Sequence, residues 1–442
     1  MKNILKYAFF FVTAITTVSC DDYLDVEPIG KVIPETLTDF RAVLTRGYET
    51  YPDHKNLASL RADELILDPY SFGPDYPFFK DIYHWNDATP DRITTQFQYA
   101  NLYNTIFFTN VIINDANVKL EASADKDQLI GEAYALRAYA YFDLLNLFAK
   151  PYNAATAGTD KGVPLALKID LEQAYVPEST ARIYEQILSD KEEAKKLLNK
   201  DTQTKGLNYR FSKAAIYALE TRVFLYQKEW AKAIESADKA LAIKSALVDL
   251  NATPVLANRY DGVESILALE DVFVVGLKNI SYASSELTDA YDQTNDLRYA
   301  LYFQRFGGDI SILKGGEDAQ KCSFRTSELY LTKAEASAQL NDLTTAKTTV
   351  LAFIKNRYRA AGYNQLSIEI DAMNQTELLD FIGEERHREF AAEGHRWFDL
   401  RRNNQKEILH YDGLGNEYKL IENDPRYTIP YPKDARLNNP NL

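Results

Sequence analysis

From Leu37 onward, the apolar positions of the chain mostly follow the spacing of α-helices. Segments 94–115 and 127–149 both place apolar or aromatic residues three and four positions apart, and this spacing predicts two helices that pack as an antiparallel pair. Segment 183–198 shows the same spacing and is predicted to form an amphipathic helix. Together these patterns predict a mainly α protein.

Two later segments have the pattern of paired helices. Segment 212–243 predicts two helices that meet near Lys228. Its second half carries a row of residues that lets one helix pack closely on another, as in tetratricopeptide repeats. This row consists of Trp230, Ala233, Ala237 and Ala240. A similar unit lies at 327–354, where Leu343 and Ala346 correspond to the first two positions of that row. The two units are not adjacent copies of one array.

The pattern changes at about 250–325, where short apolar runs alternate with Gly and Asn and with many tyrosines. Such a pattern predicts a loop-rich insertion with a few strands. Residues 403–442 have the same irregular character. We therefore expect one domain over 37–442, in which tetratricopeptide-like helix pairs form an α-α superhelix and the loop-rich, partly β insertion decorates one face.

Residues 1–19 resemble an export signal. Lys2 and Lys6 precede an apolar run of about 12 residues, which is too short to span a bilayer. The run ends in small residues before Cys20, as in bacterial lipoprotein signals whose cysteine is diacylated. We predict a signal peptide over 1–19, lipidation of Cys20 and a lipidated tether over 20–36. The alternative is an ordinary signal peptide followed by a chance cysteine.

Composition and charge favour a folded protein with a packed core and argue against a nucleic-acid-binding or membrane-spanning protein. An apolar content of 46% is ample for a packed core. Removal of residues 1–19 leaves 48 basic and 64 acidic side chains, a net charge of −16, so nucleic acid is not expected as a partner. Cys322 is then the only thiol besides the lipidated one, so we expect no internal disulfide. Because later apolar runs are too short for a membrane helix, membrane anchoring would depend on the lipid.

Segment 384–402 concentrates charge at the end of a long apolar-periodic segment and reads EERHREFAAEGHRWFDLRR. Its histidines, His387 and His395, are eight residues apart. On a helix this spacing corresponds to about 12 Å of rise, which is too far for one zinc ion. We therefore expect no metal site here.

The charged side chains of this segment are predicted to point inward. Steps of about 100° per residue from Ile382 place Arg386, Glu389 and Glu393 on the buried stripe of the helix. Two glutamates four residues apart could act as the acid pair of a retaining glycosidase, so a secreted glycoside hydrolase is one interpretation. A general acid needs a raised pKa, however, and the neighbouring arginines favour the carboxylate. Buried Arg–Glu pairs that fix the helix are the favoured interpretation.

The same segment resembles the signature ERxxEF-x-x-EGxRWFDLRR of SusD/RagB-family lipoproteins from Bacteroidetes. The matching residues are Glu385, Arg386, Glu389, Phe390, Glu393, Gly394, Arg396, Trp397, Phe398, Asp399, Leu400, Arg401 and Arg402. Further similarity lies at Tyr103, Ile106, Asn110, Arg137, Ala138, Tyr141, Phe142, Arg325, Glu328, Tyr330, Leu331, Ala334 and Glu335. The closing segment 428–442 departs from the family pattern, because the usual glutamate and the Gln-Asn-Pro-Gly-Tyr ending are absent.

This resemblance implies a nutrient-binding lipoprotein without catalytic activity or cofactor, anchored in the outer membrane and exposed at the cell surface. Its implied task is to capture an oligosaccharide and to deliver it to a SusC-like TonB-dependent transporter. Segment 384–402 would be scaffold, and Asp296 with Arg298 would form the family's structural Asp-x-Arg element. A peptide ligand, and a helical interaction protein without a small ligand, remain open alternatives.

Aromatic rings in the irregular segments are the candidate ligand site. The resemblance implies that sugar stacks on exposed rings, since the C–H faces of sugars are apolar. Segment 69–87 interleaves rings, including Tyr70, with Pro and Gly, a composition that argues against a regular core helix, and segment 279–303 is rich in tyrosine. The expected ligand-binding residues are Trp85, Tyr76, Tyr83, Phe78, Tyr282 and Tyr291, with Trp85 first. For each ring, burial in the core is the alternative.

Overall fold

The computed structural model describes residues 33–442 except 71–73, 169, 171–172, 174 and 413. The predicted signal peptide, Cys20 and the tether up to residue 32 lie outside the described residues. All elements below belong to the compact unit Thr36–Leu442.

Helices dominate this unit, as the apolar spacing predicts. The first are α1 Leu37–Glu49, α2 Lys55–Arg61, α3 Tyr76–Tyr83, α4 Tyr99–Val111, α5 Ala124–Phe148, α6 Thr180–Leu197, α7 Lys213–Tyr226 and α8 Trp230–Ile243. A π-helical turn, Ile112–Ala116, and a short turn, Asn117–Lys119, follow α4. The later helices are α9 Val275–Lys278, α10 Ser285–Asp289, α11 Leu297–Tyr302, α12 Thr326–Gln339, α13 Leu343–Ile354, α14 Ala360–Ala372, α15 Gln375–Glu389, α16 His395–Arg402 and α17 Lys433–Asn438.

The strands are short and form separate antiparallel pairs. They are β1 Leu65–Leu67, β2 Lys161–Pro164, β3 Pro177–Ser179, β4 Ser265–Leu267, β5 Ser281–Ala283, β6 Phe303–Phe306, β7 Asp309–Ile312, β8 Phe324–Arg325, β9 Ile408–Tyr411 and β10 Glu417–Leu420. The pairs are β1 with β5, β2 with β3, β4 with β8, β6 with β7, and β9 with β10. Four strands thus lie between 265 and 312, within the predicted loop-rich insertion. The β9–β10 hairpin and α17 give the C-terminal region more regular structure than its sequence suggests.

The predicted antiparallel pair corresponds to α4 and α5. The ring of Tyr99 contacts that of Phe148, and Asn110 Oδ1 accepts a hydrogen bond from Arg137 Nη1 at 2.7 Å, so the two helices run in opposite directions. Nearly every side chain from Gln128 to Phe148 is buried, which makes α5 the central helix of the core. A helix surrounded on all sides needs apolar or small residues around its whole circumference.

The two predicted helix pairs are α7–α8 and α12–α13, and both reverse direction in the same way. Lys228 and Asn341, in the two connections, each have a φ of 60°, the left-handed conformation that single turn residues adopt at a modest cost. Ala233 and Ala237 are fully buried, so α8 approaches its neighbour closely along the predicted row of small residues. The fold is therefore a mainly α scaffold of tetratricopeptide-like helix pairs with small sheets.

Serine side chains mark the beginning of several of these helices. Ser123, Ser179 and Ser212 each accept a hydrogen bond from a backbone N–H in the first turn of α5, α6 and α7 respectively. Such caps satisfy N–H groups that have no partner within the helix. Within the described ranges, none of the helices combines the length and the apolar character that a bilayer-spanning segment requires.

Candidate ligand-binding face

Glu389, at the end of α15, lies at the centre of a buried cluster of arginines. Its carboxylate accepts hydrogen bonds from Arg298 at 3.1 Å, from Arg325 at 2.5 Å and from Arg357 at 2.8 Å, and its exposed fraction is 0%. Burial alone would raise the pKa of Glu389, but the arginines hold it well below the usual range. Arg298 also donates to Asp296 at 2.7 Å, so the Asp-x-Arg element belongs to this buried network. The cluster joins α11, β8, the turn after α13 and α15.

The turn between α15 and α16 extends this cluster. Glu393 accepts hydrogen bonds from Lys314 at 2.5 Å and from Arg325 at 3.0 Å. Gly394 has a φ of 76°, and a Cβ at this position would come within 2.7 Å of the Lys55 carbonyl oxygen on α2. A glycine is therefore needed where α2 approaches this turn. The segment thus fastens two helices that are distant in the sequence.

The predicted inward orientation of this segment is confirmed. Arg386, Glu389 and Glu393 are 2%, 0% and 1% exposed. Burial would raise the pKa of Glu393, but Arg325 and Lys314 lower it instead. Neither glutamate is accessible to a glycan, and neither has the raised pKa that a general acid requires. The two glutamates therefore do not form the acid pair of a hydrolase.

One buried group of side chains has the composition of a metal site. His54, Asp143 and Glu270 bring their ligand atoms within 4.8 Å of one another. Each carboxylate already accepts a hydrogen bond from a buried tyrosine hydroxyl, Tyr51 to Asp143 and Tyr139 to Glu270. The Lys55 ammonium also lies 3.6 Å from Glu270. Each carboxylate thus accepts a hydrogen bond from a tyrosine, and Glu270 also has a cation nearby. We therefore assign no ion to this cluster.

Three of the predicted ligand-binding rings are buried, so the expectation that they are exposed is wrong. Trp85 and Tyr83 are each 1% exposed, and Tyr291 is 5% exposed. Trp85 donates its indole N–H to the Arg61 carbonyl at 3.1 Å and stacks on the ring of His410. Tyr83 stacks on the same His410. These rings are part of the core and cannot serve as a platform for sugar.

The segment that carries Trp85 also has more helix than its composition suggested. Residues 76–83 form α3, although the composition argues against a regular core helix here. Pro77 stands in the first turn, where the missing N–H is not needed for a helical hydrogen bond. Phe79 and Ile82 face the core, whereas Phe78 is 39% exposed. Phe78 therefore remains accessible on α3.

Strands β1 and β5 bring two outward-facing side chains together. Ile66 lies opposite Tyr282 in this pair, and the flanking residues of both strands are buried. Because side chains alternate across a strand, Ile66 and Tyr282 both point away from the core. Ile66 is 39% exposed and Tyr282 is half-buried. Tyr282 is thus one predicted ring that is accessible.

The β6–β7 hairpin lies beside Tyr282, because β7 packs on β5, and Asp68 directly follows β1, the partner of β5. Partial burial and then the charges of Asp309 and Asp68 raise the pKa of Tyr282. Asp309 pairs with Phe306 at the tip of the hairpin, and Phe306 is 76% exposed. Tyr70, two residues after Asp68, is 68% exposed.

Tyr76 extends this surface along α3. Burial raises the pKa of Tyr76 to about 12, and the charges of Asp412 and Asp68 contribute to that shift. Tyr76 is half-buried and begins α3, which packs on β1, the strand that precedes Asp68. We name the surface formed by Ile66, Tyr70, Tyr76, Tyr282 and Phe306 the aromatic face.

Sequence reasoning missed Phe306 and the two carboxylates near Tyr282. The sequence does contain a signal for this hairpin: Gly307 and Gly308 separate two short runs with β character, which is the pattern of a hairpin with a two-residue turn. Recognition of this hairpin would have predicted that Phe306 and Asp309 are paired beside its turn. The pairing of β1 with β5 has no comparable local signal.

A separate groove of about 870 Å³ lies along α4. Its lining includes Phe107, which is 46% exposed, together with the amide side chains of Asn101 and Asn104 on α4 and Asn438 on α17. The predicted ligand-binding residues do not line this groove. It is therefore an alternative ligand-binding surface, and experiments can compare it with the aromatic face.

Fold and surface together define the class of protein as a helical scaffold of tetratricopeptide type that displays aromatic side chains from its inserted loops. Two family models match the chain: one described as "SusD family" over residues 275–442, the other as "Starch-binding associating with outer membrane" over residues 22–225. The chain belongs to the SusD/RagB family. The resemblance of segment 384–402 to the family signature is thereby confirmed.

Individual relatives agree with this assignment. SusD-like protein P38 of Formosa agariphila is 26% identical, over 91% of this chain and 92% of its own length. A SusD superfamily protein from Bacteroides thetaiotaomicron shares the fold with a TM-score of 0.77 and 21% identity, over 92% of this chain and 98% of that one. A laminarin-binding SusD-like protein has a TM-score of 0.61 and 18% identity, over 83% of this chain and 91% of its own.

Proposed function

We propose that this protein is a glycan-binding lipoprotein of the cell surface. It captures an oligosaccharide on the aromatic face and delivers it, without cleavage, to a SusC-like TonB-dependent transporter. The observation that carries the proposal is that three neighbouring segments, those of Tyr70, Tyr282 and Phe306, present two exposed rings and one half-buried ring on the scaffold of this family. Similarity to a laminarin-binding protein supports a glycan as the ligand.

The absence of cleavage is part of this proposal. Glu389 and Glu393, the glutamates with the spacing of an acid pair, are buried and bound to arginine. Binding without chemistry requires only complementary surface and hydrogen bonds, which the aromatic face supplies. Incubation with a glycan panel should therefore release no new reducing ends, and their release by the purified protein would support a hydrolase instead.

Tyr282→Ala is expected to weaken glycan binding by about 1–3 kcal/mol, roughly five- to 150-fold in Kd, a range taken from bases that stack on aromatic rings. The ring supplies the apolar platform, and its removal leaves the helical core intact. Isothermal titration calorimetry with the best neutral glycan of a panel measures the change. Tyr282→Phe keeps the ring and should retain most of the affinity.

The matched control for Tyr282→Ala is Phe107→Ala, which removes an exposed ring from the groove along α4. We expect this variant to bind as the native protein does. The reverse outcome, a loss with Phe107→Ala and none with Tyr282→Ala, would move the site to the groove. If the native protein binds no glycan, a peptide or another nutrient becomes the favoured ligand.

Lipidation of Cys20 is the proposed means of attachment to the outer membrane. The described helices are unsuited to span a bilayer, and each buried CH₂ of an acyl chain contributes about 0.8 kcal/mol. Cys20→Ala should therefore release the protein from the membrane fraction when it is expressed in a bacterium that processes lipoproteins. Cys322→Ala is the control, because Cys322 is buried in the fold. Retention of the Cys20→Ala variant in the membrane would contradict lipid anchoring.

A further inference from the structure

We infer that the aromatic face is built for uncharged oligosaccharides, whose hydroxyl groups donate to Asp68 and Asp309, and that it disfavours sulfated or uronic-acid chains. This inference rests on the proposed function and adds the chemical class of the ligand. It follows from the position of two carboxylates beside Tyr282 and from the positions of the nearby cations.

Asp68 is held at the edge of the β1–β5 pair. Its backbone N–H donates to the Ile280 carbonyl at 2.8 Å, which fixes the residue beside the start of β5. One carboxylate oxygen, Oδ1, accepts the Tyr70 N–H at 2.8 Å. Among the described residues, the other oxygen accepts no hydrogen bond, so it is available to a ligand that lies on Tyr282.

Asp309 has a similar position on the β6–β7 hairpin. It is exposed, lies opposite Phe306, and forms no ion pair or side-chain hydrogen bond with the described residues. In an antiparallel pair, directly opposed residues lie on the same side of the sheet and their neighbours lie on the other. Asp309 and Phe306 therefore share one side of the hairpin, whereas Arg305 and Ile310 share the other. The cation of this hairpin points away from the carboxylate.

The other cations on the surrounding elements already have partners. Lys80 on α3 lies 2.6 Å from Asp91, and Lys278 on α9 donates to the Gly315 carbonyl at 2.9 Å. Lys314, after β7, is buried against Glu393. Segment 71–73 reads Ser-Phe-Gly and adds no charge. Apart from Arg305, on the other side of the hairpin, these cations are therefore engaged elsewhere, and the described part of the aromatic face presents two carboxylates.

This arrangement distinguishes classes of glycan. An ionised carboxylate is only an acceptor, and it forms strong hydrogen bonds with hydroxyl donors, which every neutral sugar provides. A sulfate or a uronic carboxylate brought onto the same rings would meet two like charges and would lose water without gaining a partner. The aromatic rings thus provide the stacking surface, and Asp68 and Asp309 favour an uncharged glycan over an anionic one.

The test compares neutral oligosaccharides, such as laminarihexaose and maltohexaose, with oligogalacturonate and sulfated carrageenan oligosaccharides by calorimetry. The native protein should bind one or more of the neutral chains and none of the anionic ones. The double variant Asp68→Asn, Asp309→Asn should bind the neutral ligand about tenfold more weakly, since charge-assisted hydrogen bonds become ordinary ones. Asp380→Asn, an exposed change on α15, is the control and should have no effect.

Two results would overturn the inference while the proposed function stands. One is binding of an anionic glycan by the native protein that Tyr282→Ala abolishes. The other is an unchanged affinity for the neutral ligand in the double variant. Failure of the native protein to bind any glycan would instead contradict the proposed function itself, so the two failures can be distinguished.

Discussion

Glu389→Ala is expected to lower the free energy of unfolding by about 3–5 kcal/mol, because removal of one partner from a buried ion pair leaves the other charge uncompensated. The effect should lie at the upper end of this range. Three guanidinium groups, those of Arg298, Arg325 and Arg357, donate to this one carboxylate, and all are at most 1% exposed. Urea denaturation followed by circular dichroism measures the change.

Glu384→Ala is the control for this prediction, since Glu384 lies on the same helix with a side chain that is 49% exposed. Its carboxylate lies 3.7 Å from Nδ1 of His387, whose pKa burial lowers, and no guanidinium of the described residues donates to it, so its removal should cost less than about 1 kcal/mol. Equal and small losses in the two variants would contradict the scaffold role of segment 384–402. A stable Glu389→Ala protein that had lost a measured hydrolytic activity would restore the hydrolase interpretation.

Trp85→Ala is the second substitution with a large expected effect, and it should act on stability rather than on ligand contact. Truncation of a fully buried tryptophan typically costs about 3–5 kcal/mol, through lost burial and the cavity that remains. Trp85 is 1% exposed, stacks on His410 and donates to the Arg61 carbonyl. Trp85→Phe keeps much of the volume and should cost less.

The measurement for Trp85→Ala is a melting curve together with calorimetry at a temperature at which the variant is still folded. We expect a lower melting temperature and nearly native affinity for the glycan. A variant with native stability and lost binding would contradict the buried position of Trp85. It would also return this ring to the binding site that the sequence predicted.

Helices and their inward faces could be predicted because the relevant signals are local. The spacing of apolar residues in segments 212–243 and 327–354 is fixed by the 3.6-residue turn, and both segments form helix pairs. The same periodicity placed Glu389 on the buried stripe, and Glu393 is also buried, although α15 ends at Glu389 and Glu393 lies in the turn that follows. A charge on that stripe requires a charged partner, and this requirement by itself favours a scaffold role for the segment.

The accessibility of the aromatic rings could not be predicted in the same way. Composition placed Trp85 in an irregular segment, but its burial depends on His410, which belongs to β9 near the other end of the chain. Likewise, Tyr282 is presented beside Ile66 only because β5 pairs with β1. Strand pairs of two or three residues carry almost no local signal, so the aromatic face emerged only from the three-dimensional arrangement.

The most direct test of glycan binding on the aromatic face is a crystal structure of the protein soaked with its best neutral oligosaccharide. Difference density should show a sugar ring stacked on Tyr282, with hydroxyl groups within hydrogen-bond distance of Asp68 or Asp309. Density for the sugar in the groove beside Phe107, with none on Tyr282, would contradict binding on the aromatic face.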